Sequence, residues 1–259
     1  MKVVVLSFDV EEFDMPYEYG GDLNLKNQIE ISSKGLDSIT KLLDENNIKA
    51  TFYCTGVFAQ NKSEKIKDLS VNHEIASHNF YHSSHKNEDL LSSRSFLQNI
   101  TDQKIAGFRM PRLAKVDNAI LEEAGYQYNS SINPTWLPGR YNNLNISRKV
   151  FVQNNLIQFP VSVSPKFRIP LFWIAFHVLP LWMYLYLIKQ NLRSDGYVHF
   201  YFHPWEFTDY HLEQNGAKYP FYLKKNNGKK MTERFEKLIK FLQKEGCVFQ
   251  TTSEFLALK

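Results

Sequence analysis

Two histidines four residues apart, His78 and His82, are the clearest candidates for metal ligands in this sequence. Residues at this spacing lie on one face of a helical turn, so both imidazoles can reach a single Zn²⁺ ion. His73 and His85 lie close by, but a lone histidine is more often structural, and both are assigned to that class. The HxxxH spacing therefore predicts a metal site on a helical turn at His78 and His82.

Two carboxylates, Asp9 and Glu11, follow an apolar run at the start of the sequence. Side chains alternate along a strand, so both carboxylates face the same side, where the carboxyl end of a barrel strand opens into a site. One of them can bind a metal while the other takes a proton from an attacking water. The alternative is that Asp9, Glu11, Glu12 and Asp14 are solvated charges at the start of a loop.

Arg109 and His203 each follow a strand-like apolar segment. A guanidinium at a strand end can hold a carboxylate bidentately and keep it ionised, although a surface ion pair is an equally good interpretation of Arg109. His203 ends the run 198–202 and is suited to protonating a leaving group. His199, inside that run, is interpreted as a core residue with satisfied hydrogen bonds.

The composition of the 259-residue chain is that of a folded, globular protein. With 43% hydrophobic and 22% charged residues it can bury a sizeable core, and its length predicts one large domain over residues 1–259. The formal net charge of +4 is spread along the chain, without the basic stripe typical of a nucleic-acid binder. Nucleic acid is therefore not an expected partner.

The cysteines also restrict the chemistry. Only Cys54 and Cys247 occur, which excludes a disulfide framework and a CxxC zinc knuckle, so any metal must be held by histidines and carboxylates. The apolar run at residues 1–8 meets the charge of Asp9 too early for the core of a signal peptide. We therefore expect a cytoplasmic protein whose sequence begins with a buried strand.

Strand-like and helix-like segments alternate along the chain. After the first strand, apolar residues at helical spacing follow Ser32 and Ser33, which are candidate caps, and stop near Asn46. Further helices are predicted at 57–69, 88–100, 117–124 and around 231–242, and strands at 50–54, 74–76, 105–108, 157–163, 197–202 and 247–251. This rhythm predicts parallel βα units, and so an α/β barrel or a doubly wound sheet. No glycine-rich nucleotide-binding motif follows the first strand, which favours the barrel.

One segment, residues 169–188, contains no Asp, Glu, Lys or Arg. Twenty such residues could span a bilayer, but two prolines and His177 interrupt the run. A span would also separate His203 from the earlier motifs. We therefore predict an apolar insertion at about 165–192, which is either a buried helical segment or a surface that lies on a membrane or covers a lipid-linked ligand.

The order of these motifs resembles that of a known family. Four stretches of this sequence are similar to the successive motifs of that family, namely Asp9-Val10-Glu11, His78-x-x-x-His82, Arg109-x-Pro111 and His203-Pro204-Trp205-Glu206. The family is the polysaccharide deacetylases, with the NodB homology domain, also called carbohydrate esterase family 4. The resemblance extends from residue 5 to about 210. It implies an α/β fold with a single-domain, distorted (β/α)₇ barrel and a divalent metal, Zn²⁺ first, with Co²⁺, Ni²⁺ or Mn²⁺ as alternatives.

The resemblance also implies a role for each matching residue. Asp9 corresponds to the general base, and Arg109 to the residue that orients it. His78 and His82 correspond to metal ligands. His203 corresponds to the general acid.

Two positions depart from the family's commonest pattern. Val10 stands where a second aspartate is common, so Glu11 is inferred to be the third metal ligand. The stretch Tyr128-Asn129-Ser130-Ser131-Ile132 resembles the fourth motif, in which an aspartate is more usual than Asn129. How the acid is tuned is therefore left open by the sequence.

The residues and the resemblance together predict a metal-dependent hydrolase that removes an N-acetyl or O-acetyl group from a sugar and releases acetate. Two alternatives remain, a non-catalytic sugar-binding barrel and a metal amidohydrolase that acts on a small non-sugar amide. The expected partner is an acetylated sugar, with lipid-linked and nucleotide-linked forms favoured over mature wall polymer. Peripheral membrane contact through 169–188 and a homo-oligomer are left open.

Overall fold

The computed structural model describes residues 1–209 and 216–258. The strands of the described chain are β1 (Lys2–Val10), β2 (Thr51–Cys54), β3 (Glu74–Ser77), β4 (Gly107–Phe108), β5 (Tyr128–Asn129), β6 (Trp136–Leu137), β7 (Tyr141–Asn142), β8 (Phe151–Gln153), β9 (Leu156–Gln158), β10 (Tyr197–Phe202) and β11 (Cys247–Gln250). Its α-helices are α1 (Met15–Glu18), α2 (Leu25–Glu45), α3 (Gly56–Asn61), α4 (Ser63–Ser70), α5 (Asn87–Thr101), α6 (Asn118–Glu123), α7 (Trp173–Val178), α8 (Leu181–Asp195), α9 (Phe221–Lys224), α10 (Lys229–Lys244) and α11 (Thr252–Phe255). Two 3₁₀ turns lie at Pro111–Leu113 and Pro204–Phe207.

Parallel strands curl into a partial barrel in the order β10-β1-β2-β3-β4-β5-β9. β11 pairs with the first half of β1, and β8 pairs antiparallel with β9. Beyond β9 the backbone continues to the opposite edge, where the Ser162 N–H donates to the His199 carbonyl oxygen at 3.0 Å. The prediction of an α/β fold with a distorted (β/α)₇ barrel is confirmed.

β1 is central in this sheet, and its position explains its composition. From Val3 to Val10 every side chain is buried, because helices cover one face of the strand and the barrel interior lies on the other. Parallel strands covered on both faces are near-continuous apolar runs, as this strand is. β1 ends at Val10, so the carboxylates at this end of the strand stand at the mouth of the barrel.

The barrel has an apolar outer core and a partly polar interior. Between the sheet and the helices, residues such as Leu36 of α2 and Phe235 of α10 join one large apolar cluster. Inside the barrel, Tyr53 and Tyr128 pack together, and the Tyr128 hydroxyl donates to Glu74 Oε1 at 2.9 Å. These polar groups of the interior are therefore held by hydrogen bonds to one another.

α2 begins well before the predicted caps. The side chain of Asn24 accepts a hydrogen bond from the Asn27 N–H at 3.0 Å, whereas Ser32 and Ser33 are buried in the middle of the helix. The prediction of caps at these two serines is therefore wrong. Serine is tolerated inside a helix when tertiary packing favours it, and the apolar stripe of α2 supplies that packing.

Other predicted boundaries also differ. The helix predicted over 57–69 is two helices, α3 and α4, because Lys62 between them leaves the helical conformation, with φ of −138°. The strand predicted over 157–163 is only β9. After it, the N–H groups of Phe159, Val161 and Ser162 donate to the carbonyl oxygens of Asn129, Ile132 and His199, so no regular ladder forms.

The apolar segment 169–188 packs beside the barrel. Tyr184 and Ile188 of α8 are fully buried near β10, whereas Trp182 and Tyr186 on the same helix are 73% and 58% exposed. Within the described part of the chain, no helix combines the length and apolar composition that crossing a bilayer requires. The segment is therefore a helical layer of the fold with aromatic side chains on its outer face.

α2 makes a close contact with the loop that follows β10. A β-carbon added at Gly35 would lie 1.7 Å from the carbonyl oxygen of Pro204. Only glycine allows two backbones to approach so closely. Because Pro204 follows His203, this contact fixes the path of the chain next to a predicted site residue.

We predict that Gly35→Ala lowers the free energy of unfolding by about 2 kcal/mol, because overpacking outweighs the roughly 1 kcal/mol by which alanine favours a helix. Urea denaturation followed by circular dichroism measures this change. Lys34→Ala, at the exposed neighbouring position, is the control and should stay close to the unmodified protein. A Gly35→Ala protein as stable as that control would contradict the tight contact.

Candidate metal centre and active site

The predicted site residues meet at the mouth of the barrel. A cleft of about 370 Å³ is lined by side chains that include Asp9, Glu11, His78, His82 and His203. They come from the ends of β1, β3 and β10, which the parallel sheet brings to one edge. The interpretation of these carboxylates as solvated surface charges is therefore wrong, since the fold buries them in the cleft.

Glu11, His78 and His82 form a compact group of three potential metal ligands. Their ligand atoms lie within 4.8 Å of one another, and all three residues are buried. Glu11 Oε2 is 3.2 Å from His78 Nε2 and 3.0 Å from His82 Nε2. Two imidazole nitrogens and one carboxylate oxygen form a donor set that Zn²⁺ uses in catalytic sites.

The far nitrogens of both imidazoles have partners that orient the rings. His78 Nδ1 lies 2.8 Å from the Arg109 carbonyl oxygen, and His82 Nδ1 lies 2.9 Å from Asp14 Oδ1. These oxygens accept hydrogen bonds, so Nδ1 carries the hydrogen and Nε2 keeps its lone pair for a metal. The residues present therefore fit a bound divalent ion.

The two histidines do not lie on a helix, contrary to the prediction. They belong to the loop after β3, where Asn79 has a φ of +65°. Glu12 holds this loop, because its Oε1 accepts the His82 N–H at 3.1 Å and its Oε2 accepts the Thr55 hydroxyl at 2.7 Å. The HxxxH spacing thus singled out the two histidines that lie beside Glu11. The helix on which that prediction rested does not form at these residues.

The charges in this group favour an ionised Glu11. Burial raises the pKa of Glu11, but the adjacent His82, His203 and His78 lower it well below its ordinary value. Burial lowers the pKa of His82, yet Glu11 and Asp14 raise it well above its ordinary value. An ionised carboxylate is the form of Glu11 that can bind a metal ion.

Arg109 lies beneath the cleft, fully buried. Its Nη1 donates to Asp9 Oδ1 at 2.5 Å, and its Nε and Nη2 donate to the backbone and side-chain oxygens of Ser130 at 3.2 and 3.0 Å. The prediction of a carboxylate partner is confirmed, although one nitrogen rather than two contacts Asp9. The Asp9 carboxylate is therefore fixed in place through its Oδ1.

His199 supports the arginine from below. Its Nδ1 lies 3.2 Å from the Pro160 carbonyl oxygen, so its Nε2 is free to accept from Arg109 Nη2 at 3.1 Å. Burial and the charge of Arg109 hold the pKa of His199 well below its ordinary value. His199 is thus a neutral core histidine with satisfied hydrogen bonds, as the sequence predicted.

His203 is oriented by Glu206, which belongs to the same motif but for which the sequence predicted no role. Glu206 Oε1 accepts from the His203 backbone N–H at 2.6 Å and lies 2.9 Å from His203 Nδ1. His203 Nε2 lies 4.0 Å from Glu11 Oε1, on the cleft side. Burial lowers the pKa of His203, but the charges of Glu11 and Glu206 outweigh it and raise the pKa above its ordinary value.

The side chain of Asn129 forms hydrogen bonds with Ser131 and Asn118. Its Oδ1 accepts from the Ser131 N–H at 3.0 Å, and its Nδ2 donates to Asn118 Oδ1 at 3.3 Å. Ser131 Oγ in turn accepts from the Met110 N–H at 2.8 Å. The segment that resembles the fourth motif therefore braces the backbone next to Arg109.

Two protein-family models match the sequence of this chain. A family model described as polysaccharide deacetylase matches residues 1–129, and one described as a domain of unknown function, DUF3473, matches residues 130–256. The chain belongs to the polysaccharide deacetylase family. No curated protein is significantly similar to it in sequence.

Solved structures share the polysaccharide deacetylase fold. An allantoinase aligns with a TM-score of 0.62 at 14% identity, covering 97% of this chain and 88% of its own. A peptidoglycan N-acetylglucosamine deacetylase aligns with a TM-score of 0.55 at 16% identity, covering 99% and 89%. A pseudoenzyme of carbohydrate esterase family 4 from Bacillus anthracis aligns with a TM-score of 0.52 at 14% identity, covering 98% and 64%.

Residues of the cleft fall in both of the matched regions. Residues 1–129 contain Asp9, the three candidate metal ligands and Arg109. Residues 130–256 contain His203 and Glu206. The cleft is therefore complete only where the two matched regions meet.

We predict that His78→Ala and His82→Ala each weaken zinc binding on the order of 100-fold, because a site with three protein ligands keeps little affinity once one is gone. Metal analysis after dialysis against a weak chelator measures the loss. His85→Ala, at an exposed position of the same loop, is the control and should retain its metal. Stoichiometric zinc in either cleft variant would remove that residue from the ligand set.

Proposed function

We propose that this polysaccharide deacetylase family member is a metal-dependent hydrolase that removes an N-acetyl group from a sugar and releases acetate. One observation carries the proposal. Asp9 Oδ2 and His203 Nε2 each lie 4.0 Å from a candidate metal ligand, the first from His78 and the second from Glu11. The candidate base, the candidate metal ligands and the candidate acid thus lie in one cleft.

Glu11, His78 and His82 would hold the metal. When bound, a divalent ion there polarises the acetyl carbonyl and makes a nearby water more acidic. Zn²⁺ suits this donor set best, and Co²⁺, Ni²⁺ or Mn²⁺ also bind imidazole and carboxylate ligands.

Asp9 serves as the general base. Arg109 holds Oδ1, which leaves Oδ2 to take a proton from water as the water oxygen attacks the acetyl carbonyl carbon. The buried ion pair holds the carboxylate in one orientation. Arg109 acts on the reaction through Asp9.

His203 serves as the general acid. As the carbon–nitrogen bond breaks, the electron pair goes to nitrogen and the proton on His203 Nε2 is transferred to it. The products are acetic acid, which ionises to acetate, and a sugar amine. Asp9 then releases its proton to solvent and His203 takes one up, which restores both groups. Glu206 keeps Nδ1 occupied, so Nε2 is the nitrogen that faces the cleft.

Two alternatives have specific support. The similarity to a pseudoenzyme supports a barrel without turnover, but Asp9, His203 and the candidate ligands line one cleft, and Arg109 contacts Asp9 beneath it. The similarity to an allantoinase supports action on a small non-sugar amide. Assays of acetate release from acetylated sugars and of small-amide hydrolysis separate the three functions.

The cleft walls favour a sugar. Tyr141, Phe172 and Trp173 line it, and aromatic rings at a cleft supply flat apolar surface to a ligand. Phe172 and Trp173 belong to the apolar segment 169–188, which thus forms one wall of the site. The same wall is suited to a lipid-linked or nucleotide-linked sugar.

We predict that Asp9→Asn keeps its zinc but lowers kcat for acetate release from tri-N-acetylchitotriose by about 100-fold or more, the scale of a general base. Metal analysis and an enzymatic acetate assay give the two quantities. Asp22→Asn, an exposed aspartate, is the matched control. Near-normal turnover in the Asp9 variant would move the base to another group.

We also propose peripheral membrane contact through the outer face of α8. Trp182 and Tyr186 are four residues apart, so they lie on one helix face, and both are more than half exposed. Exposed aromatic side chains on an amphipathic helix insert into the lipid interface. Neither residue lines the cleft as described.

We predict that replacing Trp182 and Tyr186 together with serine weakens binding to phosphatidylcholine–phosphatidylglycerol vesicles roughly tenfold or more, because apolar area no longer enters the lipid. Vesicle sedimentation measures the binding, and turnover of a soluble acetylated sugar should stay unchanged. Val152→Ser, another exposed apolar position, is the control. Equal sedimentation of all three proteins would contradict membrane contact at this face.

A further inference from the structure

His177 lies in the apolar segment, yet it is fully buried and has polar partners on both ring nitrogens. Its Nε2 lies 2.7 Å from Glu206 Oε2, and its Nδ1 lies 2.5 Å from the Lys225 carbonyl oxygen. The Asn226 side chain donates to the His177 carbonyl oxygen at 2.7 Å and fixes the same residue through its backbone. His177 is therefore held rigidly between the loop after α9 and Glu206.

Glu206 connects His177 to the general acid. Its carboxylate has no exposed surface, and its two oxygens are divided between the two histidines, Oε2 for His177 and Oε1 for His203. A buried carboxylate oxygen without a donor is unfavourable, so each oxygen needs its partner. His177 supplies the donor that keeps Glu206 in place.

Helix α7, which carries His177, also contacts His203 directly. The Trp173 ring, also on α7, meets the His203 ring edge to face, with centroids 5.3 Å apart and planes at 85°. The Trp205 ring stacks on His203 at 5.2 Å and 22°. The imidazole of His203 can therefore move little except with α7 and the Pro204–Phe207 turn.

We propose that His177 is a positioning residue that acts through Glu206 on His203, so that the apolar segment aims the general acid of the reaction proposed above. This inference rests on the proposed function. The hydrogen bond from His177 holds the Glu206 carboxylate against Nδ1 of His203. Nε2 of His203 then carries the proton that is donated to the substrate in the cleft. Asn129, at the position where the family more usually has an aspartate, has no part in this arrangement, since its amide bonds elsewhere.

The experiment compares His177→Phe, which removes both donors, with His177→Gln, whose amide N–H can replace Nε2. In the zinc-loaded protein with tri-N-acetylchitotriose, His177→Phe should lower kcat by about 10- to 100-fold, the range for residues that orient catalytic groups. KM and zinc content should stay unchanged, and His177→Gln should recover most of the loss. His73→Phe, another buried histidine that contacts the Ala50 N–H far from the cleft, is the matched control.

A double-substitution cycle tests the route through Glu206. Because His177 acts only through that carboxylate, the combined variant His177→Phe/Glu206→Gln should be no slower than Glu206→Gln alone. Multiplication of the two losses would overturn the proposed route. So would unchanged kcat in Glu206→Gln.

A spectroscopic arm needs no substrate. In zinc-loaded protein with ¹⁵N-labelled histidine, at one fixed pH, His203 should show hydrogen on Nδ1 that exchanges slowly, assigned by its absence from His203→Ala. This signal should weaken in His177→Phe and return in His177→Gln. If the unmodified protein releases no acetate, the proposed function fails, and this arm still decides whether His177 positions His203.

The remaining outcomes are also decisive. Equal kcat in His177→Phe and the His73→Phe control would overturn the proposal, as would a fall in kcat matched by an equal loss of zinc or folded protein. If His177→Phe does not fold, Glu206→Gln and His177→Gln decide. A His177→Gln protein that folds but turns over as slowly as His203→Ala would contradict a role based on the Nε2 donor.

Discussion

The buried ion pair between Asp9 and Arg109 is the interaction on which the rest of the site depends. Desolvating a guanidinium is costly unless its donors are used, and here they reach Asp9, Ser130 and His199. The backbone of the same arginine joins the two parts of the site, because its carbonyl oxygen holds His78 Nδ1. One residue thus orients the candidate base with its side chain and a candidate metal ligand with its main chain.

Much of the site could be predicted from the sequence because most of the candidate residues lie at or just after the end of a strand. Asp9, Arg109 and His203 follow apolar segments, and parallel strands bring their carboxyl ends to one edge. The alternation of strands and helices likewise predicted parallel βα units, and the resemblance to the family implied the barrel. The assignment of His199 to the core was confirmed for a related reason: a histidine inside a buried strand must find partners within the barrel.

The errors arose where long-range contacts decide the local structure. The HxxxH spacing suggested a helix, but the loop that holds His82 is shaped by Glu12, far away in the sequence. Glu206 and His177 belong to different segments, and no spacing rule pairs them, so their contact was not predicted. The departure at Asn129 gave a signal, because an asparagine stands where the family more usually has an aspartate, so a carboxylate partner for His203 had to be sought elsewhere.

The pairing of β1 has a consequence for how the protein is made. Val3 lies opposite Tyr197 on one side and Val248 on the other, so this strand is synthesised long before most of its neighbours. Contacts between residues so distant in sequence slow folding, and until they form, an apolar strand edge stays open to other chains. During translation the edge of β1 that pairs with β10 therefore stays open until residues 197–202 have been made, and Asp9 and Glu11 are present throughout that stage without His203.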